Sequence, residues 1–200
     1  MTICLGIYVE FHPGTNDRLA QLAETSAQVG SDRPGLRRPS YVMRRPHLTL
    51  FHAMVLDPEL TRVRDSVKHI HRFCRAEPVS FKGLSVFGDK FLFLDAHLSP
   101  MLRLAHAAAV LALLPYRACE AEPPAQNEGL VLSSSERRNL ATFGHPLVGP
   151  EYLPHVTLAY DHDPEVIRAC HVEAVDLKQQ MVAAVRLGIM GEYGSLKEAL

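Results

Sequence analysis

Two short segments of this chain share one pattern, Pro46-His47-Leu48-Thr49-Leu50 and, 108 positions later, Pro154-His155-Val156-Thr157-Leu158. A single His-x-Thr on a strand is ordinarily a half-buried or surface pair; two copies in matching apolar context argue for one shared site. Side chains alternate faces along a strand. His47 and Thr49 therefore point one way and Leu48 and Leu50 the other, and His155 and Thr157 oppose Val156 and Leu158 in the same manner. Each strand gives an apolar face to a core and a His/Thr face to something polar. Placed side by side or across a cleft, the two strands bring together two imidazoles and two hydroxyls.

That set suits phosphodiester chemistry. One neutral imidazole removes the proton of an attacking hydroxyl or water, and the other, protonated, delivers a proton to the leaving oxygen. An unperturbed pKa near 6.5 keeps both forms of histidine accessible at neutral pH. The threonine hydroxyls can donate to the non-bridging oxygens, where charge concentrates in the transition state. The chemistry needs no metal and no other cofactor. Zinc is the weaker reading, because no Cys, Asp or Glu stands at ligand spacing beside the two histidines. His52 could be recruited in principle; His69 and His71 are spaced i, i+2 in an expected helix and do not share a face. His52 and His145 lie close to the motifs and receive no role.

The elements that must position these groups are legible from periodicity. Thr2 to Glu10 is β-branched and apolar and reads as a buried strand. Asn16 to Val29 has helical spacing, with Thr15 or Asn16 as cap. A loop from Ser31 to Ser40 leads to a short strand at Tyr41 to Met43, followed by the first motif strand, Pro46 to Phe51. Pro58 to Cys74 reads as a helix with Leu60, Val63, Val67 and Ile70 on one face. Val79 to Val86 and Lys90 to Asp95 read as paired strands joined at Gly88-Asp89, and Pro100 to Leu114 as an Ala-rich helix. Pro115 to Pro150 lacks periodicity and reads as a functional loop or lid. Tyr152 to Tyr160 is the second motif strand, Pro164 to Cys170 a short helix, and Met181 to Ile189 the final strand. Many strand pairs are too close in sequence for parallel crossovers, so the expectation is α+β with antiparallel pairing, two lobes within a single domain spanning residues 1–200.

Composition narrows the partners. The chain is 47% apolar and 22% charged, so it can fold around a core, and its formal net charge of −1 argues against coating duplex DNA or RNA. It leaves room for a small nucleotide or an RNA end in a cleft. Cys4, Cys74, Cys119 and Cys170 form no C-x-x-C pair and read as reduced thiols of a cytoplasmic protein. No leader and no membrane-length apolar run is evident, and with no coiled-coil heptads a monomer is the plain expectation.

The paired His-x-Thr motifs resemble those of the 2H phosphoesterase superfamily, which includes LigT-like 2′-5′ RNA ligases and cyclic nucleotide phosphodiesterases. The likeness extends over most of the chain, through Phe143-Gly144 to Leu153 and the closing stretch Arg186 to Gly194, and is loose outside the motifs. It implies that His47 and His155 are the general acid/base pair and that Thr49 and Thr157 bind phosphate. It also implies two pseudo-symmetric lobes, each with an antiparallel sheet, facing each other across a central groove with the helices outside. Members act without metal on 2′,3′-cyclic phosphates or 2′-5′ linkages. The chemistry runs as hydrolysis or, reversed, as ligation, and a non-catalytic RNA- or nucleotide-binding module is the alternative of another class. Arg137 and Arg138 are candidates to reach a phosphate, as are Arg44 and Arg45; Phe143, Tyr152 and Tyr160 are candidates to stack on a base.

Overall fold

The computed structural model describes residues 2–56, 60–75, 77–118, 131–172, 177 and 179–200. Among these, the strands are β1 (Thr2–Phe11), β2 (Tyr41–Val42), β3 (Leu48–Leu56), β4 (Val79–Phe87), β5 (Phe91–Ala96), β6 (His155–Tyr160), β7 (Gln179–Gln180), β8 (Val182–Met190) and β9 (Leu196–Ala199). The helices are α1 (Pro13–Ser31), α2 (Leu60–Cys74), α3 (Pro100–Leu113), α4 (Ser134–Phe143) and α5 (Pro164–Ala169). The fold is α+β, with every strand pair antiparallel.

The strands run in the order β7-β4-β5-β6-β3-β1-β8-β9, with β2 on the free side of β6, and the sheet is not closed. Its two halves repeat one another. β3-β1-β8-β9 forms one lobe and β6-β5-β4-β7 the other, and a single residue pair, Leu48↔Val156, joins β3 to β6. The two motif strands are thus the seam. β6 then pairs with β2 instead, through Tyr41↔Tyr160 and Val42↔Ala159, so β3 is free to diverge.

Local sequence explains the boundaries. Pro13 occupies the first turn of α1, where its missing N–H costs nothing, so the helix begins ahead of the expected Thr15 or Asn16 cap. In α3 the Ser99 hydroxyl accepts from the Leu102 N–H at 3.2 Å, and in α5 the Asp163 carboxylate accepts from the Glu165 N–H at 3.0 Å. The β4–β5 hairpin turns on Gly88 and Asp89, with φ of 56° and 57°, the left-handed pair a two-residue turn requires. α2 buries Val63, Val67, Ile70 and Cys74; Pro58, where this helix was expected to start, lies outside the described residues. α2 and α3 pack on β8 and β3, while α1 and α5 pack on β6 and β5.

Two expectations need correction. The segment Pro115 to Pro150 is not structureless: Ser133 and Glu136 form a reciprocal capping box that starts α4, and Gly144 ends it at φ 75°. The Ser-x-x-Glu signature was present in the sequence but masked by a polar helix with no buried residue. Residues 119–130 of this segment, Cys119 included, lie outside the described residues. β8 is also not the last strand, because β9 adds to its edge. No helix among the described residues is long and apolar enough to cross a membrane.

Candidate active site

The pair Leu48↔Val156 fixes the geometry of the seam. Both side chains are fully buried on the core side. In an antiparallel pair the flanking residues share the opposite face, so the register sets His47 across from Thr157 and Thr49 across from His155. Four polar side chains from the two motifs form one patch on one side of the seam.

Each histidine is held in the same way. The Nδ1–H of His47 donates to the Arg45 carbonyl at 2.8 Å, and that of His155 donates to the Leu153 carbonyl at 2.7 Å. Both acceptors lie two residues upstream, so the bond is a local property of the motif. It orients the ring and, in neutral His155, leaves Nε2 as the acceptor. An aromatic ring from the neighbouring strand supports each imidazole: Tyr8 meets His47 edge-on at 5.0 Å, and Phe93 stacks on His155 at 3.7 Å. Burial lowers the pKa of both, that of His155 to about 4. His47 is also bonded to the Gly194 backbone, which favours its charged form.

A bulge follows each motif. The β1–β3 register passes from Tyr8↔Thr49 to Ile7↔Phe51, leaving Leu50 unpaired, and the β5–β6 register passes from Phe93↔Thr157 to Leu92↔Ala159, leaving Leu158 unpaired. An extra residue reverses the alternation beyond it. His52, opposite Gly6, therefore shares the face of Thr49, although strict alternation places it on the other side. Reading the strand without its bulge hides His52.

The cleft beside the seam is lined by Thr49, His155 and Thr157, by Phe87, Phe91, Phe93 and Tyr193 on one wall, and by His52, His145 and Tyr152 on the other. His52 and His145 meet edge-on at 4.6 Å. Burial lowers both pKa values, that of His52 to about 4 with further contributions from His47 and His155. The His52 Nδ1 lies 4.0 Å from the Cys4 sulfur, and the His145 Nδ1 accepts from the Leu147 N–H at 3.2 Å.

Behind the site, His106 and Tyr152 stack at 3.9 Å. The Nδ1–H of His106 donates to the Leu50 carbonyl at 2.6 Å, its Nε2 accepts from the Gly149 N–H at 3.0 Å, and the Tyr152 hydroxyl donates to the Thr49 carbonyl at 3.0 Å. Together they tie the bulged end of the first motif to the segment leading into the second. Tyr152, offered by its sequence position for base stacking, is buried and serves here as scaffold.

The other candidates fall elsewhere. The guanidinium of Arg137 bonds to the Leu132 carbonyl and the Ser134 hydroxyl at the start of α4, and Arg138 is exposed on the same helix. Phe143 packs against the main core. Tyr160 is fully buried beneath Tyr193, with which it stacks at 3.9 Å. None of these four lines the cleft. Arg44 and Arg45 are exposed just ahead of the first motif. Among the described residues, no group of three or more His, Cys, Asp or Glu side chains is placed to hold a metal ion.

Comparison with known proteins agrees with this arrangement at the level of family. A family model described as the 2′-5′ RNA ligase superfamily matches residues 22–190, a span containing both motifs. No curated protein matches the chain.

Proposed function

Since the chain belongs to the 2′-5′ RNA ligase superfamily of 2H phosphoesterases, we propose that it is a metal-independent phosphodiesterase acting on a 2′,3′-cyclic phosphate or a 2′-5′ linkage of RNA or a nucleotide. The observation that carries the reading is the seam register, which gives each imidazole a threonine hydroxyl as cross-strand neighbour. A phosphodiester bridging the patch meets a proton acceptor, a proton donor and two hydroxyl donors.

The two histidines differ enough to be assigned roles. His155, with its pKa pushed down to about 4, is neutral at pH 7 and acts as base on the attacking oxygen through Nε2. His47, whose pKa burial also lowers but against which backbone bonds to Arg45 and Gly194 act, is the partner that gives its proton to the leaving oxygen. Thr49 and Thr157 donate to the non-bridging oxygens. In the reverse direction the roles exchange, and the same patch forms a 2′-5′ bond.

The test is turnover of 2′,3′-cyclic nucleotides and 2′-5′ dinucleotides in EDTA. Wild type is expected to cleave a member of the panel, with His47→Ala and His155→Ala each reduced by at least about a hundredfold while still binding it. Binding without turnover by wild type makes the chain a nucleotide-binding module. Turnover equal in wild type and both variants removes the two-histidine mechanism.

A further inference from the structure

The cleft next to the seam carries polar groups that the proton transfers do not use. Among the described residues its lining contains no Asp, Glu, Lys or Arg, so the part of a substrate lying there finds aromatic surface and uncharged hydrogen-bonding groups. His145 is a fixed donor among them. Its Nδ1 accepts the Leu147 N–H, so in the neutral ring the proton sits on Nε2. His52 is edge-on to it, with its Nδ1 beside the Cys4 thiol. Across the cleft stand Phe87, Phe93 and Tyr193, of which Phe87 and Tyr193 are partly open.

We propose that this part of the cleft is a nucleobase subsite, in which the base lies against the Phe87 and Tyr193 wall and the Nε2–H of His145, supported by His52, donates to an acceptor on the base edge. The inference rests on the phosphodiesterase reading and adds to it a class of substrate, a nucleotide whose base is read, and the residue that reads it. A second phosphate is the competing occupant of a histidine pair. It is disfavoured because burial holds the His52 pKa down to about 4, which leaves the ring neutral at pH 7, and among the described residues no Lys or Arg lines the cleft. An aromatic wall facing a neutral donor matches a flat, uncharged heterocycle.

His145 is a specificity residue in this account, so its signature is a ratio and not a rate. The values of kcat/KM for the 2′,3′-cyclic phosphates of uridine, cytidine, guanosine and adenosine are measured for wild type, His145→Ala, His145→Gln and His52→Phe. In parallel, dissociation constants of the corresponding nucleoside 2′-monophosphates are measured by calorimetry, which needs no turnover. Wild type is expected to span at least about tenfold between its best and worst base, with a base presenting a carbonyl oxygen preferred. In His145→Ala and His52→Phe the span is expected to collapse to within about threefold. His145→Gln keeps an N–H donor and is expected to retain most of the preference.

A wild type indifferent to the base overturns the proposal. So does a variant that loses activity equally on all four substrates with the span intact, because that pattern belongs to positioning. Tighter binding of nucleoside 2′,5′-bisphosphates that depends on His145 establishes a second phosphate site in place of the base. If no substrate is turned over while the dissociation constants show a His145-dependent base preference, the phosphodiesterase reading fails and the subsite stands.

Discussion

The two lobes place comparable elements around comparable motifs, yet their facing surfaces differ in kind. Pairing makes Tyr8 in one lobe equivalent to Phe93 in the other, since each opposes the threonine of its motif, and it makes Gly6 equivalent to Phe91 and Gly188 to Phe87. In the β6 lobe the three positions form an aromatic wall, with Phe87 and Phe93 stacked at 5.3 Å. In the β3 lobe the two glycines admit neighbours where a side chain would stand. A Cβ on Gly6 would lie 2.5 Å from Met190, and one on Gly188 would lie 2.8 Å from the Glu198 carbonyl. Position 52, equivalent to 160, holds a cleft-lining histidine in one lobe and a covered tyrosine in the other. Symmetry is kept at the two His/Thr motifs and is abandoned around them, so one lobe presents an aromatic wall and the other a cleft-lining histidine.

The difference is sharpest between the two histidines, and the nature of the leaving group can break it. If His47 is the acid, its absence matters little when the leaving oxygen needs no proton. With uridine 2′-(4-nitrophenyl phosphate), the aryl counterpart of a 2′-5′ linkage, the defect of His47→Ala, about a hundredfold or more on ordinary substrates, is expected to shrink at least about tenfold, whereas that of His155→Ala persists. Steady-state kinetics on both substrate types decide it, and rescue of His155→Ala in its place reverses the assignment.

The bulges differ in how their carbonyls are satisfied. Leu158 accepts from the Met43 backbone N–H at 2.8 Å, but Leu50 depends on the His106 side chain. His106→Ala leaves the Leu50 carbonyl and the Gly149 N–H without their partner and empties the space against Tyr152. A loss of about 2–4 kcal/mol is expected in urea unfolding; a loss below about 1 kcal/mol would mean that the bulge holds itself.

The pH profile reads the histidine comparison more gently. Both pKa values lie below 6.5, that of His155 at about 4. With His155 as base and His47 as acid, the one must be deprotonated and the other protonated, so kcat/KM is expected to peak between about pH 4 and 6.5 and to fall about thirtyfold or more by pH 8. A plateau extending above pH 8 contradicts burial as the cause of these shifts. The smallest effect is expected from Tyr8→Phe, which gives the β3 lobe the residue type of Phe93. The Tyr8 hydroxyl is buried with no hydrogen-bond partner among the described residues, so its removal is expected to leave stability unchanged or raise it by up to about 1 kcal/mol. A fall in kcat of tenfold or more in this variant would place the hydroxyl on the substrate.

Much of the fold and the centre of the site were legible because they depend on short-range rules. Alternation within the two motifs separated His47 and Thr49 from Leu48, and His155 and Thr157 from Val156. Gly88-Asp89 marked a hairpin, and Ala-rich composition marked a helix from Pro100 to Leu114. The polar candidates Arg137 and Arg138 shared the composition of a loop but sit on α4, away from the cleft, because a capping box can start a helix that buries nothing. His52, His106 and His145 carried no local signal at all. Their roles depend on a bulge, on packing between α3 and β3, and on a segment folded back across the seam.

The sequence by itself determined the motifs, the strand faces they imply, the α+β class and the family, because period-two alternation and duplicated residue types are written along the chain. Only the tertiary structure decided that Leu48 meets Val156, that His52 turns into the cleft and that one lobe is aromatic where the other has glycines covered by Met190 and Leu196. Each of these is a matter of register between strands distant in sequence, and register is fixed by long-range pairing and packing, which no local pattern encodes.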